Sequence, residues 1–188
     1  MTTIIYAHPY SGSFNHAILE NVTAALKEEN KEATVIDLYA DGFSPALEAA
    51  SLRLYSRGET ADPLVRNYID ILLQTDTLIM IYPIWWGMMP AIVKGFFDKV
   101  MLAGSAYQYS DAGNLVPAKI NIKRVLTITT SQGPKESFAP FFEKYLTESI
   151  FSAVGFHNPE WYDCTHTSHG PEENRTTFLE LVRKAVKG

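Results

Sequence analysis

One stretch constrains the fold more than any other part of the chain: it runs from Thr77 to Met101 and reads TLIMIYPIWWGMMPAIVKGFFDKVM. Its first part, Leu78 to Tyr82, is apolar without alternation, which is typical of a short strand that is covered on both faces. Pro90 then suits the first position of a helix, and the apolar residues behind it recur at helical spacing. The stretch therefore predicts a central strand of an open α/β sheet, followed by a loop and a helix.

The loop between this strand and this helix carries two adjacent tryptophans, Trp85 and Trp86. In open α/β sheets, ligands bind outside the carboxyl ends of the strands, where flat side chains and free backbone groups can hold a planar heterocycle. Aromatic residues beside an apolar strand are also commonly plain core residues. Two neighbours in an extended loop cannot both point into one core, because successive side chains point to opposite sides. The pattern alone leaves both a ligand platform and core packing open.

Five segments read as strands, and helical patterns lie between them. The predicted strands are Thr2–Ala7, Ala33–Leu38, Leu78–Tyr82, Lys123–Thr130 and Phe156–Cys164, the last an edge strand because of Pro159. The predicted helices follow Ser13, span Leu47–Tyr55, start at Pro63 and Pro90, and span Phe138–Val154 (from about Pro140) and Pro171–Lys187. This alternation predicts a doubly wound, five-stranded parallel sheet in the flavodoxin-like order 2-1-3-4-5, within three α/β/α layers.

Length and composition narrow the class of protein. A chain of 188 residues with 46% hydrophobic content is expected to form one domain over residues 1–188. The net charge of −5 comes without any basic run, so we expect no nucleic-acid partner and no binding to anionic membranes. No segment approaches about 18 uninterrupted apolar residues, so neither membrane insertion nor a signal peptide is expected. The single cysteine, Cys164, excludes an intrachain disulfide and favours a reducing, cytoplasmic location.

The loop after the first strand has the features of a phosphate site. It ends at a predicted helix N-terminus, where unpaired backbone N–H groups and the positive end of the helix dipole attract anions. Ser11, Ser13 and Asn15 add donors, and His8 adds a donor whose charge can follow that of the ligand. A polar turn with a capping serine would explain Ser13 but not His8 and Asn15. The loop matches neither G-x-x-x-x-G-K-[ST] nor G-x-G-x-x-G, so nucleotide hydrolysis and a standard dinucleotide turn are not supported.

Four segments together resemble the flavin-dependent NAD(P)H:quinone oxidoreductases, and the resemblance covers nearly the whole chain. They are HPYSGSFN from His8, PIWWGMMPAIVKGFFDKV from Pro83, AYQY from Ala106, and the pair Thr129 and Thr130. The second segment is the most specific of the four. This family also includes azo-dye reductases and the regulatory subunits of glutathione-gated potassium efflux systems.

The resemblance implies that three loops hold a flavin. The matching positions are His8, Ser13, Phe14 and Asn15 for the phosphate and ribityl chain, Pro83, Ile84, Trp85, Trp86 and Gly87 for the isoalloxazine edge, and Thr129, Thr130, Ser131, Gln132 and Gly133 beside the pyrimidine end. Tyr107 and Tyr109 match a tyrosine pair that closes the substrate pocket from the neighbouring subunit of a homodimer. Without the resemblance, these two tyrosines read as ordinary surface residues.

The sequence departs from the family pattern in two places. The family's Thr-Thr-Gly-Gly is Thr-Thr-Ser-Gln here, so the backbone approach to the flavin can differ and Gln132 can contribute a side chain. A tyrosine and a histidine that relay a proton in the animal enzymes have no counterpart between Ser137 and Glu143. No proton relay is therefore assigned.

The expected function is two-electron, ping-pong hydride transfer from NADPH or NADH through bound FMN to a quinone, azo or nitro acceptor. FMN is favoured over FAD because no adenine-binding extension is evident. The N–H groups of Ser131 to Gly133 would stabilise the negative charge that a reduced flavin carries near N1 and O2. Two other functions stay open: a regulatory subunit of a glutathione-gated potassium efflux transporter, and a one-electron carrier of the flavodoxin type.

Two other groups of residues have the chemistry of a binding site but not its spacing. His157, His166 and His169 lie near Cys164, but their spacing matches no strong zinc pattern, and no metal site is predicted. Arg53, Arg57 and Arg66 are scattered, as on a solvated face, and are not assigned to the 2′-phosphate of NADPH.

Overall fold

Seven strands are present in the computed structural model, which describes every residue from Met1 to Gly188. They are β1 (Thr2–Tyr6), β2 (Ala33–Asp37), β3 (Thr77–Pro83), β4 (Tyr107–Tyr109), β5 (Leu115–Pro117), β6 (Arg124–Thr130) and β7 (Pro159–Cys164). Five of them form one parallel sheet in the order β2-β1-β3-β6-β7. This order confirms the predicted 2-1-3-4-5 topology. The central position of β3 agrees with its burial, since Leu78 to Pro83 are all buried.

The chain forms six longer helices: α1 (Phe14–Glu28), α2 (Ala49–Tyr55), α3 (Pro63–Leu72), α4 (Ala91–Val100), a π-helix (Pro140–Phe151) and α5 (Glu172–Lys187). All but α2, which has no buried residue, pack against the sheet. An apolar core lies between the sheet and the helices on each of its two faces. One face of the sheet packs against α1 and α5, and the other against α3, α4 and the π-helix. The predicted three-layer architecture is therefore confirmed. No helix combines the length and the apolar character that crossing a lipid bilayer requires.

Helix starts follow the capping residues. Ser13 Oγ accepts a hydrogen bond from the N–H of His16 at 3.1 Å, so Ser13 caps α1 as predicted. The prediction for Pro90 is wrong by one residue, because its ψ of 153° is extended and α4 begins at Ala91. Pro90 still contributes its carbonyl, which accepts from the N–H groups of Val93 and Lys94.

The helix predicted over Phe138–Val154 has a different geometry from that expected. Its central part is a π-helix that begins at Pro140, a residue that lacks the N–H a helix interior would need. Thr147 Oγ1 donates to the carbonyl of Phe142, five residues earlier, at 3.1 Å. The helix ends in a 3₁₀ turn, Ser152–Val154, that Gly155 closes with a φ of 74°. The amphipathic pattern predicted a helix but not its π-helical hydrogen bonding.

Two other segments complete the fold. β7 is an edge strand as predicted, and Pro159 is its first residue, where a missing N–H does not weaken a ladder. No strand or helix is predicted between α4 and β6, but part of this segment forms an antiparallel hairpin of β4 and β5. This hairpin carries both Tyr107 and Tyr109.

Candidate functional site

Three loops meet at one edge of the sheet, because β1, β3 and β6 are neighbours and their carboxyl ends lie side by side. They enclose a cavity of about 440 Å³, here called the phosphate-side cavity. Its walls also include the loop after β7. It is lined by His8, Tyr10, Ser13, Phe14, Asn15, Pro83, Ile84, Trp85, Thr130, Ser131, Gln132, Thr167, Ser168 and Arg175. The three loops that the family resemblance assigns to a flavin therefore do lie together in the structure.

A second cavity of about 600 Å³, here called the tryptophan-side cavity, adjoins the first. The two share Ile84, Trp85 and Gln132. The remaining residues of the second cavity are Trp86, Gly87, Gly133 and Phe138. Together the cavities form an elongated slot with a polar end at α1 and an aromatic end at Trp86.

The N-terminus of α1 forms the polar end. The carbonyl of Ser13 accepts hydrogen bonds from the N–H groups of His16 and Ala17, and its hydroxyl accepts a second one from the N–H of His16. The N–H groups of Phe14 and Asn15 have no acceptor within the protein. Because the helix dipole adds partial positive charge here, this end of the slot can bind an anionic group.

Asn15 gives a second indication of a ligand. Its side chain is only 3% exposed, and its Nδ2 donates to Thr130 Oγ1 at 2.8 Å. Its Oδ1 is buried and has no hydrogen-bond partner. A buried acceptor without a partner carries a free-energy cost that a ligand donor would remove. The slot therefore fits a molecule with an anionic end, hydroxyl donors and a flat apolar part, as FMN has.

His8 lies at the same end and contacts the backbone of Tyr10. The N–H of Tyr10 donates to Nδ1 at 3.1 Å, so the neutral ring carries its hydrogen on Nε2. In the protonated ring, Nδ1 would instead donate to the Tyr10 carbonyl at 3.2 Å. Burial lowers the pKa of His8 below its ordinary value of 6.5, against the opposing effect of that carbonyl. The His8 ring is therefore disposed to donate from Nε2 while it is neutral.

Neither tryptophan is a core residue. Trp85 is 43% exposed and Trp86 is fully exposed, so the core-packing interpretation of the pair is wrong. Trp85 and Met88 exchange backbone hydrogen bonds of 3.0 and 3.2 Å around a tight turn, in which Trp86 and Gly87 have φ values of 54° and 79°. Left-handed backbone at these two positions turns the chain back sharply and presents the indole of Trp86 to solvent.

The third loop, residues 131–133 after β6, is held by hydrogen bonds to β7. Ser131 is buried, and its hydroxyl donates to Asp163 Oδ2 at 2.6 Å. Burial raises the pKa of Asp163, while hydrogen bonds from Ser131 and Thr129 oppose that rise. The side chain of Gln132 bonds to Ser168, donating to its hydroxyl at 2.7 Å. Gln132 thereby joins this loop to the loop after β7.

Three groups of predicted site residues do not line the slot. Thr129 is fully buried, and its hydroxyl donates to Asp163 at 2.7 Å and accepts from Trp161 Nε1 at 2.9 Å. Ser11 is exposed at the tip of the first loop. Tyr107 and Tyr109 lie on the β4–β5 hairpin with their rings edge to face, 6.0 Å apart.

Sequence reasoning missed five residues that line the slot: Tyr10, Phe138, Thr167, Ser168 and Arg175. Arg175 lies in the first turns of α5, and its Nη1 donates to the carbonyl of Thr167 at 3.0 Å. It brings a cation to the phosphate-side cavity. The sheet order could have predicted these residues, because β7 lies next to β6 and the loop after β7 leaves the same carboxyl edge of the sheet. The structure forms no cluster of three or more histidine, cysteine, aspartate or glutamate side chains suited to a metal ion.

The sheet order and the slot at its carboxyl edge define a ligand-binding protein of the flavodoxin class. The chain belongs to the family with the flavodoxin-like fold, whose model matches residues 1–187. An uncharacterized NAD(P)H oxidoreductase of Haemophilus influenzae is 28% identical over 188 residues, covering 98% of this chain and 93% of the relative. An FMN-dependent NADH:quinone oxidoreductase of Rhizobium meliloti is 23% identical over 191 residues, covering 92% and 90%. The structure of an NAD(P)H:quinone oxidoreductase from Methanothermobacter marburgensis is similar, with a TM-score of 0.85, 27% identity and coverage of 99% and 94%.

Proposed function

We propose that this chain is an FMN-dependent NAD(P)H oxidoreductase whose acceptor is a quinone or, alternatively, an azo or nitro compound. The observation that carries the proposal is the slot itself, in which an anion-binding helix N-terminus, a buried unpartnered amide oxygen and an exposed tryptophan loop adjoin. The names of the Rhizobium meliloti and Methanothermobacter marburgensis proteins support the same activity.

The residues of the first loop would hold the phosphate and the ribityl chain of FMN. The free N–H groups of Phe14 and Asn15 and the hydroxyl of Ser13 lie where an anion is favoured. The Oδ1 of Asn15, which has no hydrogen-bond partner in the protein, would accept a hydrogen bond from a ribityl hydroxyl. Arg175 would add a positive charge that sequence reasoning did not assign.

The second and third loops would hold the ring. Bound FMN would supply the hydride chemistry, accepting from NAD(P)H in one half-reaction and passing two electrons to the acceptor in the next. The N–H groups of Gln132 and Gly133 have no acceptor within the protein and can stabilise negative charge at the pyrimidine end. Pro83, Ile84 and Trp85 bring backbone groups and flat surface to the other edge. The tryptophan-side cavity, with Trp86 and Phe138, suits a planar quinone or nicotinamide.

We further propose that residues 1–188 act as one flavin-binding domain and that two chains form a homodimer. The hairpin supports a dimer, because Tyr109 and Leu115 are 67% and 51% exposed there and neither Tyr107 nor Tyr109 lines the slot of its own chain. In a dimer this hairpin would close the slot of the partner. Analytical ultracentrifugation tests the proposal, and a monomer at micromolar concentration would reject it.

The central test is a titration of the purified chain with FMN and FAD, followed by oxidation of NADPH and NADH with menadione as acceptor. We expect stoichiometric FMN binding, weaker FAD binding and steady oxidation of one or both nicotinamides. A chain that binds neither flavin would reject the proposal. Stable uptake of single electrons, without turnover of menadione, would instead identify a carrier of the flavodoxin type. Flavin binding without nicotinamide oxidation would favour a regulatory subunit.

A further inference from the structure

Asp163 lies behind the third loop, at the carboxyl end of β7, and does not itself line the slot. Both of its carboxylate oxygens are used within the protein. Oδ2 accepts from the hydroxyl of Ser131 at 2.6 Å, and Oδ1 accepts from the hydroxyl of Thr129 at 2.7 Å. Hydrogen bonds to a carboxylate are shorter and stronger than those between neutral groups. Asp163 therefore connects the last residues of β6 and the loop after it to β7.

Backbone hydrogen bonds hold the same loop from the same side. The N–H of Ser131 donates to the carbonyl of Cys164 at 2.9 Å, and the carbonyl of Ser131 accepts from the N–H of Thr167 at 3.0 Å. The amide of Gln132 exchanges hydrogen bonds of 2.7 and 3.4 Å with Ser168. The hydroxyl and both backbone groups of Ser131, and the side-chain amide of Gln132, are thus engaged by other groups of the protein.

The consequence is that two backbone donors stay free. The N–H groups of Gln132 and Gly133 have no acceptor in the protein, and both residues line the tryptophan-side cavity. A serine hydroxyl next to such a turn could itself accept from a neighbouring N–H or rotate into the slot. The carboxylate of Asp163, at 2.6 Å, is a stronger acceptor for the Ser131 hydroxyl than the carbonyl of Gly133, which lies 3.2 Å from the same oxygen, so it keeps the hydroxyl turned towards β7.

We propose that Asp163 is a positioning residue: by accepting from Ser131 it fixes the turn 131–133 so that the N–H groups of Gln132 and Gly133 are available to bound flavin. This inference rests on the proposed function, because it assigns the free donors to FMN. The family's Thr-Thr-Gly-Gly pattern has glycine at the position of Ser131. The hydrogen bond to Asp163 explains why a serine is tolerated there, because it keeps the hydroxyl away from the flavin site.

The test is a set of FMN titrations, followed by quenching of flavin fluorescence, on the full chain and on Ser131→Ala, Asp163→Asn and the double variant. We expect each single variant to weaken FMN binding about tenfold, as the loss of well-oriented hydrogen bonds does. We expect the double variant to bind FMN no more weakly than the weaker of the two single variants, because both substitutions break the same hydrogen bond, between Ser131 and Asp163. Ser131→Thr keeps the hydroxyl and should bind FMN within about twofold of wild type.

Glu173→Gln is the matched control, because Glu173 is an exposed carboxylate that lines a surface groove together with Asp163 and makes no hydrogen bond. It should leave FMN affinity unchanged. The thermal stability of the apo variants separates the proposed role from a purely structural one. Variants that melt at a lower temperature but bind FMN as wild type does would overturn the inference, as would additive losses in the double variant.

The two proposals can fail separately. A wild-type chain that does not bind FMN would reject the proposed function and this inference with it. If the wild-type chain binds FMN and both Ser131→Ala and Asp163→Asn bind it as tightly as wild type does, only the role of Asp163 is rejected. If Asp163→Asn does not fold, Ser131→Ala and Ser131→Thr still decide the question, because both keep the carboxylate.

Discussion

Asn15 Nδ2 donates to Thr130 Oγ1 at 2.8 Å and so ties the start of α1 to the end of β6, two positions that are 115 residues apart in the sequence. The bond fixes the amide so that Oδ1 is buried without a partner. One side chain thus joins the first loop to the third and keeps an acceptor available at the slot. This relationship is the basis of the first prediction.

Asn15→Ala is expected to weaken FMN binding about tenfold and to lower the free energy of unfolding of the apo chain by about 1 kcal/mol. Both losses follow from removing one hydrogen bond within the protein and one acceptor for the ligand. Fluorescence titration and urea denaturation measure them. Asn21→Ala is the matched control, because Asn21 is on the same helix and donates to the carbonyl of Leu179 at 2.8 Å, outside the slot. It should reduce stability without changing FMN affinity, and equal effects on affinity would contradict the prediction.

Two substitutions of Ser13 should separate capping from ligand binding. Ser13→Ala removes the cap of α1 and is expected to cost about 1 kcal/mol of stability. Ser13→Asp restores a capping side chain but places a carboxylate beside the proposed phosphate, so stability should return while FMN affinity falls well below that of Ser13→Ala. Urea denaturation and FMN titration of both variants provide the comparison. Tight FMN binding by Ser13→Asp would mean that the phosphate lies elsewhere.

Tyr82→Phe is expected to stabilise the chain by about 1 kcal/mol. The side chain of Tyr82 is fully buried and its hydroxyl has no hydrogen-bond partner, so the substitution removes an unsatisfied polar group. Tyr68→Phe is the matched substitution, because Tyr68 is equally buried but donates to Asp41 Oδ2 at 2.8 Å. That variant should lose about 1.5 kcal/mol or more. Thermal and urea unfolding measure both, and a destabilised Tyr82→Phe would show that the hydroxyl is satisfied in solution.

The stability of the apo chain should depend on pH through His8. Burial lowers the folded-state pKa of His8 below its ordinary value of 6.5, so the unfolded chain takes up the proton first as the pH falls. The contribution of neutral His8 is therefore fully present above the ordinary value and is lost as the pH falls towards the lowered pKa. Urea denaturation from pH 8 to pH 5 should show a larger loss of stability for wild type than for His8→Asn. Parallel curves for the two proteins would contradict the assignment.

Much of the fold follows from local patterns in the sequence. The apolar run from Leu78 to Tyr82 identified the central strand, and the alternation of strands and helices indicated a parallel sheet, because parallel neighbours need crossover helices. The topology then brought the first, second and third loops together without any knowledge of side-chain positions. No local pattern predicts the hairpin or the π-helix, because three-residue strands and π-helical hydrogen bonding have no distinctive periodicity in the sequence.

The sequence by itself determined where the slot lies, because the carboxyl ends of adjacent parallel strands must meet at one edge of the sheet. Only the tertiary structure decided which side chains face it. Thr129 and Thr130 are neighbours of the same chemical type, yet Thr129 bonds to Asp163 and Trp161 on β7 while Thr130 lines the slot. Successive residues of a strand point to opposite faces, and the packing of distant segments fixes which face meets the ligand. The same packing brought Asp163 behind the third loop, a contact that no local pattern in the sequence encodes.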